Sequence, residues 1–202
     1  MRFLPLPTGH PRRHHRRGFT FPELLTTLVI LAILMVAAFQ GYSKLRQRAE
    51  KVDTITKLKN MYTALTGYVA DKHDWPHEPE DADHEQLWEW WMNTMKPWGL
   101  QQDAWFSSAH LRVVNRQRKE SGQKTVEMSE MGKDSGLKIP SFFPGKFDDY
   151  DEAYSSRYQP WVSETGEYRG DSEGHMVITP GGTVSTMPSM SAINSYRNSG
   201  KK

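Results

Sequence analysis

Cysteine is missing from all 202 residues, which removes disulfides from any account of stability and leaves the fold to rest on its core or on bound ions. No acidic residue precedes Glu23, and no charged residue lies between Leu24 and Ser43. Two usual signatures of catalysis are missing too: there is no phosphate loop and no HExxH pair. Ser, His and Asp are scattered, and Asp171, Ser172 and His175 are no better than chance neighbours. The formal net charge of +2 hides an asymmetry, because residues 1–18 hold five Arg and no acid while the remainder has more acidic than basic side chains. Without that leader, nucleic-acid binding has no electrostatic argument.

What is present begins with the uncharged run LLTTLVILAILMVAAFQGYS, Leu24 to Ser43. At about 1.5 Å rise per residue it spans a hydrocarbon core of about 30 Å. Apolar residues occupy all its faces, where a soluble amphipathic helix would keep a polar stripe. Arg2, Arg12, Arg13, Arg16 and Arg17 stand ahead of it, so the positive-inside rule places the N-terminus in the cytoplasm and everything after Ser43 outside. Residues 1–17, with three prolines, three histidines and clustered arginines, read as a solvated leader.

Glu23 is the anomaly, since a carboxylate at the edge of an apolar helix asks for a cation. The order Arg16-Arg17-Gly18-Phe19-Thr20-Phe21-Pro22-Glu23-Leu24-Leu25, ahead of such a helix, resembles the type IV prepilins, a family that includes the pseudopilins of type II secretion systems. The resemblance implies cleavage between Gly18 and Phe19 by a prepilin peptidase, methylation of the new Phe19 amine, and pairing of Glu23 with that amine on an adjacent subunit. An ammonium and a carboxylate that meet in low dielectric offset part of each other's desolvation. Pro22 agrees with a helix starting at Phe19, because the first turn has no intrahelical acceptors for its N–H groups. Two rival readings exist: Arg16-Arg17 resembles a twin-arginine signal, and Val36-Ala37-Ala38 resembles an ordinary signal-peptidase site. Both sit poorly with Glu23 and with so long an apolar run.

The helix continues past the membrane. Leu45, Ala49, Val52, Ile55, Leu58, Tyr62, Leu65 and Val69 recur at spacings of three and four and predict one apolar stripe, ending near Lys72. From Phe19 that helix measures roughly 80 Å. Gly41 and Gly67 are weak points, each costing about 1 kcal/mol relative to alanine. Pro76 excludes the helical conformation at Trp75. Leu65, Tyr68, Asp71, Trp75 and Pro76 resemble the end of the long helix in major pseudopilins. Pro97-Trp98-Gly99 resembles a later motif there, with Lys96 in place of its aspartate.

Beyond Pro76 an acidic stretch containing His77 and His84 reads as solvated and gives way to a tryptophan-rich one. Leu87, Trp90, Trp91 and Thr94 are predicted to form one face of a short helix with Trp88 turned elsewhere. The tryptophans fit either a core or an exposed patch for a neighbouring subunit or cargo. Candidate strands are 111–114, 124–128, 137–139, and a hairpin over 174–187 turned by Pro180-Gly181-Gly182, whose two glycines fit the positive φ of such turns. Asp148, Asp149, Asp151 and Glu152 form an acidic loop suited to calcium, as the resemblance to calcium-binding pseudopilins also implies. A solvated turn is the other reading, and no cofactor is assigned. Residues from about 188 to 202 read as a frayed tail.

The expected fold is α+β and pilin-like: one long N-terminal helix, transmembrane in its first half, packed on a small antiparallel sheet. Residues 1–18 form a cleaved leader, 19–43 the transmembrane and assembly helix, and 44–202 an extracytoplasmic domain. The resemblance implies a non-enzymatic subunit of a type II secretion pseudopilus or type IV pilus-like filament, held in the bacterial inner membrane. Its partners would be the prepilin peptidase, other pilin or pseudopilin subunits and an inner-membrane assembly platform, with no nucleic acid. The alternative is a signal-anchored or exported binding protein that does not polymerise.

Overall fold

The computed structural model describes residues 19–133, 139–155, 159–166, 168 and 174–187, the side chain of Gln40 excepted. Residues 1–18 and 188–202, and with them the leader and the tail, lie outside that set, as do Asp171 and Ser172. The chain divides into two compact units, Met1–Lys44 and Leu45–Lys202.

In the first unit the dominant element is the start of helix α1, Phe21–Lys72. The described side chains from Phe19 to Lys44 are all exposed to solvent. By length and composition this stretch can cross a membrane. Its hydroxyls do not oppose that: Thr26 Oγ1 donates to the Pro22 and Glu23 carbonyls, both at 3.0 Å, and Thr27 Oγ1 to that of Leu24 at 2.8 Å. Hydroxyls satisfied by the helix's own backbone leave no demand on lipid.

In the second unit, α1 buries Leu58, Met61, Ala64, Leu65 and Val69, which follow a helical period and form one face. Leu45, Ala49 and Val52 do not join them, being exposed. The single stripe expected from spacing is therefore two stripes on different faces, and the inward face near Leu45 is taken over by Glu50 and Thr54. Gly67 is no mere weak point either. The Trp98 ring lies 3.2 Å from where its Cβ would be.

α1 stops at Lys72 because His73 turns into the left-handed region at φ 55°, its N–H still donating to the Val69 carbonyl at 2.9 Å. Pro76 follows three residues later, as expected. Trp75 then enters the core and donates from Nε1 to the Gly145 carbonyl at 3.0 Å. Helix α2, His84–Met95, opens with a capping box between Asp83 and Gln86. It buries Trp88, Trp91 and Met95, so the expected face is corrected: Trp88 points inward and Trp90 is only half buried.

Helix α3, Ser108–Glu120, overturns the expected strand at 111–114. Leu111, Val113 and Val114 favour strand by type, but the Ser107 side chain caps the helix by accepting from His110 N–H at 3.1 Å, and Asp53 accepts from Ser108 N–H at 2.8 Å. Residues 124–128 are no strand either. The Asn115 side chain grips Val126 from both sides, Nδ2 donating to its carbonyl at 2.9 Å and Oδ1 accepting from its N–H at 2.8 Å. An amide side chain thus takes the place of a ladder partner. Of the third expected strand, Leu137 and Lys138 lie outside the described residues, and Ile139 is not in a strand.

The sheet is built later, from β1 (Phe142–Pro144), β2 (Val162–Glu164), β3 (His175–Ile178) and β4 (Val184–Met187). The order is β1-β2-β3-β4 and every pairing is antiparallel. Pro144 is tolerated because β1 is an edge strand. Helix α4, Tyr150–Ser155, lies between β1 and β2 in the chain. The expected hairpin is present as β3–β4, with His175 opposite Met187 and Ile178 opposite Val184. Of its two turn glycines only Gly182 needs positive φ, at 72°.

Sheet and helix meet at an aromatic seam. Trp161 lies 5.2 Å from Tyr62 of α1 and 5.1 Å from Trp75, ring centroid to centroid, and Tyr62 Oη donates to the Pro180 carbonyl at 2.9 Å. Trp88 sets its ring edge-on to Trp105 and Phe106, at 5.3 and 5.4 Å. Trp75, Trp88, Trp91, Trp105 and Trp161 are all buried and belong to the core, while Trp90 and Trp98 pack against it half buried. The architecture is α+β, a long N-terminal helix with a small four-stranded antiparallel sheet, and it is consistent with a pilin-like fold.

Candidate functional site: the opening turn of the long helix

α1 begins at Phe21, two residues later than the Phe19 expected from Pro22. The cause is Thr20. Its backbone N–H and its hydroxyl both donate to Glu23 Oε2 at 2.9 Å, and its carbonyl accepts the Leu24 N–H at 3.1 Å. Thr20 therefore caps the helix, Phe21 is its first residue and Glu23 its third, where a carboxylate also meets the positive end of the helix dipole. Pro22 stays in the first turn, where its missing N–H costs nothing.

Glu23 thus has a partner within its own chain. The signal for it was in the sequence, since Thr20-Phe21-Pro22-Glu23 has the spacing of a capping box. A carboxylate offers about four acceptor positions, so two bonds to Thr20 leave it able to accept from an ammonium as well. Phe19 is exposed and stands one peptide before the Thr20 N–H that Glu23 already binds. Gly18 lies outside the described residues.

Two further polar clusters lie in the second unit, and sequence reasoning found neither. Glu50, 5% exposed, accepts from Arg112 Nε at 2.7 Å and Nη2 at 2.9 Å, and from Arg46 Nε at 3.1 Å. Burial alone would raise its pKa, but Arg112 and then Arg46 outweigh that and hold the carboxyl below its usual range. Arg112 also donates to the Tyr168 carbonyl at 3.0 Å.

The second cluster is Ser107, His110 and Ser141. Ser141 Oγ accepts from Ser107 N–H at 2.8 Å and lies 2.9 Å from His110 Nδ1. Ser141 keeps a second lone pair as well as its hydroxyl proton, so it can meet Nδ1 as acceptor or as donor and the contact fits either neutral tautomer. Tyr168 stacks on the imidazole at 4.1 Å. Burial pushes His110 down to about 4. Ser141 has no exposure at all, so this Ser–His contact joins α3 to the start of β1 and offers no surface for a substrate.

The acidic stretch 148–152 makes local hydrogen bonds at the start of α4. Asp149 Oδ1 accepts from Glu152 N–H at 2.7 Å, and Glu152 Oε2 from Asp148 N–H at 2.6 Å. Among the described residues no three His, Cys, Asp or Glu side chains are grouped to hold a metal ion. His77 pairs with Asp74 at 3.0 Å on the surface.

Compared with known families, the chain matches the prokaryotic N-terminal methylation motif over residues 13–39. That match takes in Gly18, Phe19 and Glu23 and supports reading the chain as a type IV pilin-like processed subunit. Comparison with curated proteins and with solved structures returns no match.

Proposed function

We propose that this chain is a structural subunit of a type II secretion pseudopilus or type IV pilus-like filament, anchored in the bacterial inner membrane before assembly. A prepilin peptidase cuts between Gly18 and Phe19 and methylates the Phe19 amine. The carboxylate of Glu23 then receives that amine from an adjacent subunit, while an inner-membrane platform feeds subunits into the fibre. The chain performs no catalysis of its own.

One observation carries the reading: the methylation motif at residues 13–39 runs directly into an apolar half-helix with no cover from the fold. A bare apolar rod needs lipid before assembly and neighbouring rods after it. Basic side chains flank the span on both sides, with Lys44, Arg46, Arg48 and Lys51 just beyond it, so orientation rests on the motif and its acid-free leader. The leader is cytoplasmic and the second unit extracytoplasmic.

Glu23→Ala tests the pairing. The variant is expected to be cut like the parent, because Gly18 and Phe19 are intact, and to be excluded from fibres formed with cross-linkable parent subunits. Incorporation at the parental level would remove Glu23 from the mechanism.

A further inference from the structure

We infer that the stretch of α1 just beyond the apolar span is a contact surface for anionic phospholipid headgroups. The inference rests on the reading of residues 24–43 as the bilayer span. Arg48 and Lys51 stand five and eight residues past Ser43, about 8 and 12 Å of helical rise, and within reach of a headgroup layer once their long side chains bend back toward it. Three residues apart, they share one face of the helix. Both are exposed, as are Leu45 and Val52, at 65% and 62%. Among the described residues neither Arg48 nor Lys51 forms an ion pair.

The geometry of Glu50 sharpens the case. It is the sole acid between Leu24 and Val52, and on a freely solvated helix it would offset its neighbours. Instead Arg112 of α3 takes it bidentately and buries it. The fold therefore withdraws the one negative charge from this stretch and leaves Lys44, Gln47, Arg48 and Lys51 exposed beside Leu45 and Val52. That pairing of charge and greasy side chains complements a layer of lipid phosphates over acyl chains. Near an anionic surface each basic side chain contributes up to about a fivefold preference.

The test uses the full chain reconstituted in phosphatidylcholine vesicles, with Arg2, Arg12, Arg13, Arg16 and Arg17 changed to Gln so that no arginine remains in the leader. Trace spin-labelled phosphatidylglycerol or phosphatidylcholine reports which lipid is immobilised at the protein boundary. A several-fold preference for phosphatidylglycerol is expected, weakening with salt and falling in Arg48→Gln/Lys51→Gln to the residual preference left by Lys44 and Arg46. Equal immobilisation of the two lipids by an inserted chain would overturn the inference alone. Unchanged preference in the double variant would do the same, as would lipid indifference accompanied by cross-links between copies through Leu45→Cys, which would assign the surface to a second subunit. A chain that alkaline carbonate strips from the vesicles would overturn both the inference and the bilayer span beneath it.

Discussion

His110 allows the sharpest test of the second unit's packing. Its pKa is pushed from 6.5 to about 4 by burial, so between those values the unfolded chain binds a proton that the folded chain refuses. Stability then rises with pH across this window and is lost as pH falls through it. A shift of about 2.5 units at about 1.36 kcal/mol per unit gives a loss of roughly 3 kcal/mol between pH 7 and pH 4. The geometry gives the same sign. The Tyr168 ring at 4.1 Å replaces water on one imidazole face, which disfavours the charged form. The perturbation is His110→Asn, which keeps an acceptor near the Nδ1 position and cannot take up a proton. Lost ring packing should make it less stable at pH 7, by about 1–3 kcal/mol. Urea unfolding of the full chain in detergent, followed by tryptophan fluorescence from pH 7 to pH 4, reads the difference. The gap between parent and variant should close or reverse by pH 4. Two parallel stability profiles would refute the assignment of His110 as buried and neutral.

Other changes have distinct expected outcomes. Arg112→Met leaves the buried Glu50 carboxylate with Arg46 alone and should cost about 2–3 kcal/mol at pH 7. Because the Glu50 pKa is lowered in the fold, that deficit is full above the ordinary carboxylate range and shrinks as pH falls through it, which the same unfolding series will show. His73→Gly relieves a left-handed φ and should stabilise by about 0.5–1 kcal/mol, read as a higher urea midpoint. Gly182→Ala forces a side chain into positive φ with its Cβ 3.1 Å from the Tyr62 ring. It should destabilise by about 1–2 kcal/mol, and a neutral result would mean the hairpin does not close on α1 through this turn.

The long helix was legible because its signals are dense: twenty uncharged residues, then an apolar period of three and four, then Pro76. The β3–β4 hairpin was legible for the same reason, two short β-rich runs around Pro180-Gly181-Gly182. Residues 111–114 misled because valine prefers strands by a margin smaller than one good helix cap, and Ser107 supplies that cap. Residues 124–128 misled because nothing local announces that Asn115 will satisfy Val126. β1 and β2 were invisible at three residues each, below the length at which alternation is readable. Of the candidate site, Glu23 stood out by its charge, whereas its tie to Thr20 needed the capping spacing to be noticed. Glu50 looked like one more surface charge, since Arg112 comes to it from 62 residues away.

The central claim is that a new amine is created at Phe19 and that Glu23 waits for it. Intact-mass and N-terminal peptide analysis of the protein recovered from cells of a species with a prepilin peptidase tests it directly. The account predicts a chain that starts at Phe19 and carries one methyl group on its amine. A chain that starts at Met1, or near Phe39, would contradict it.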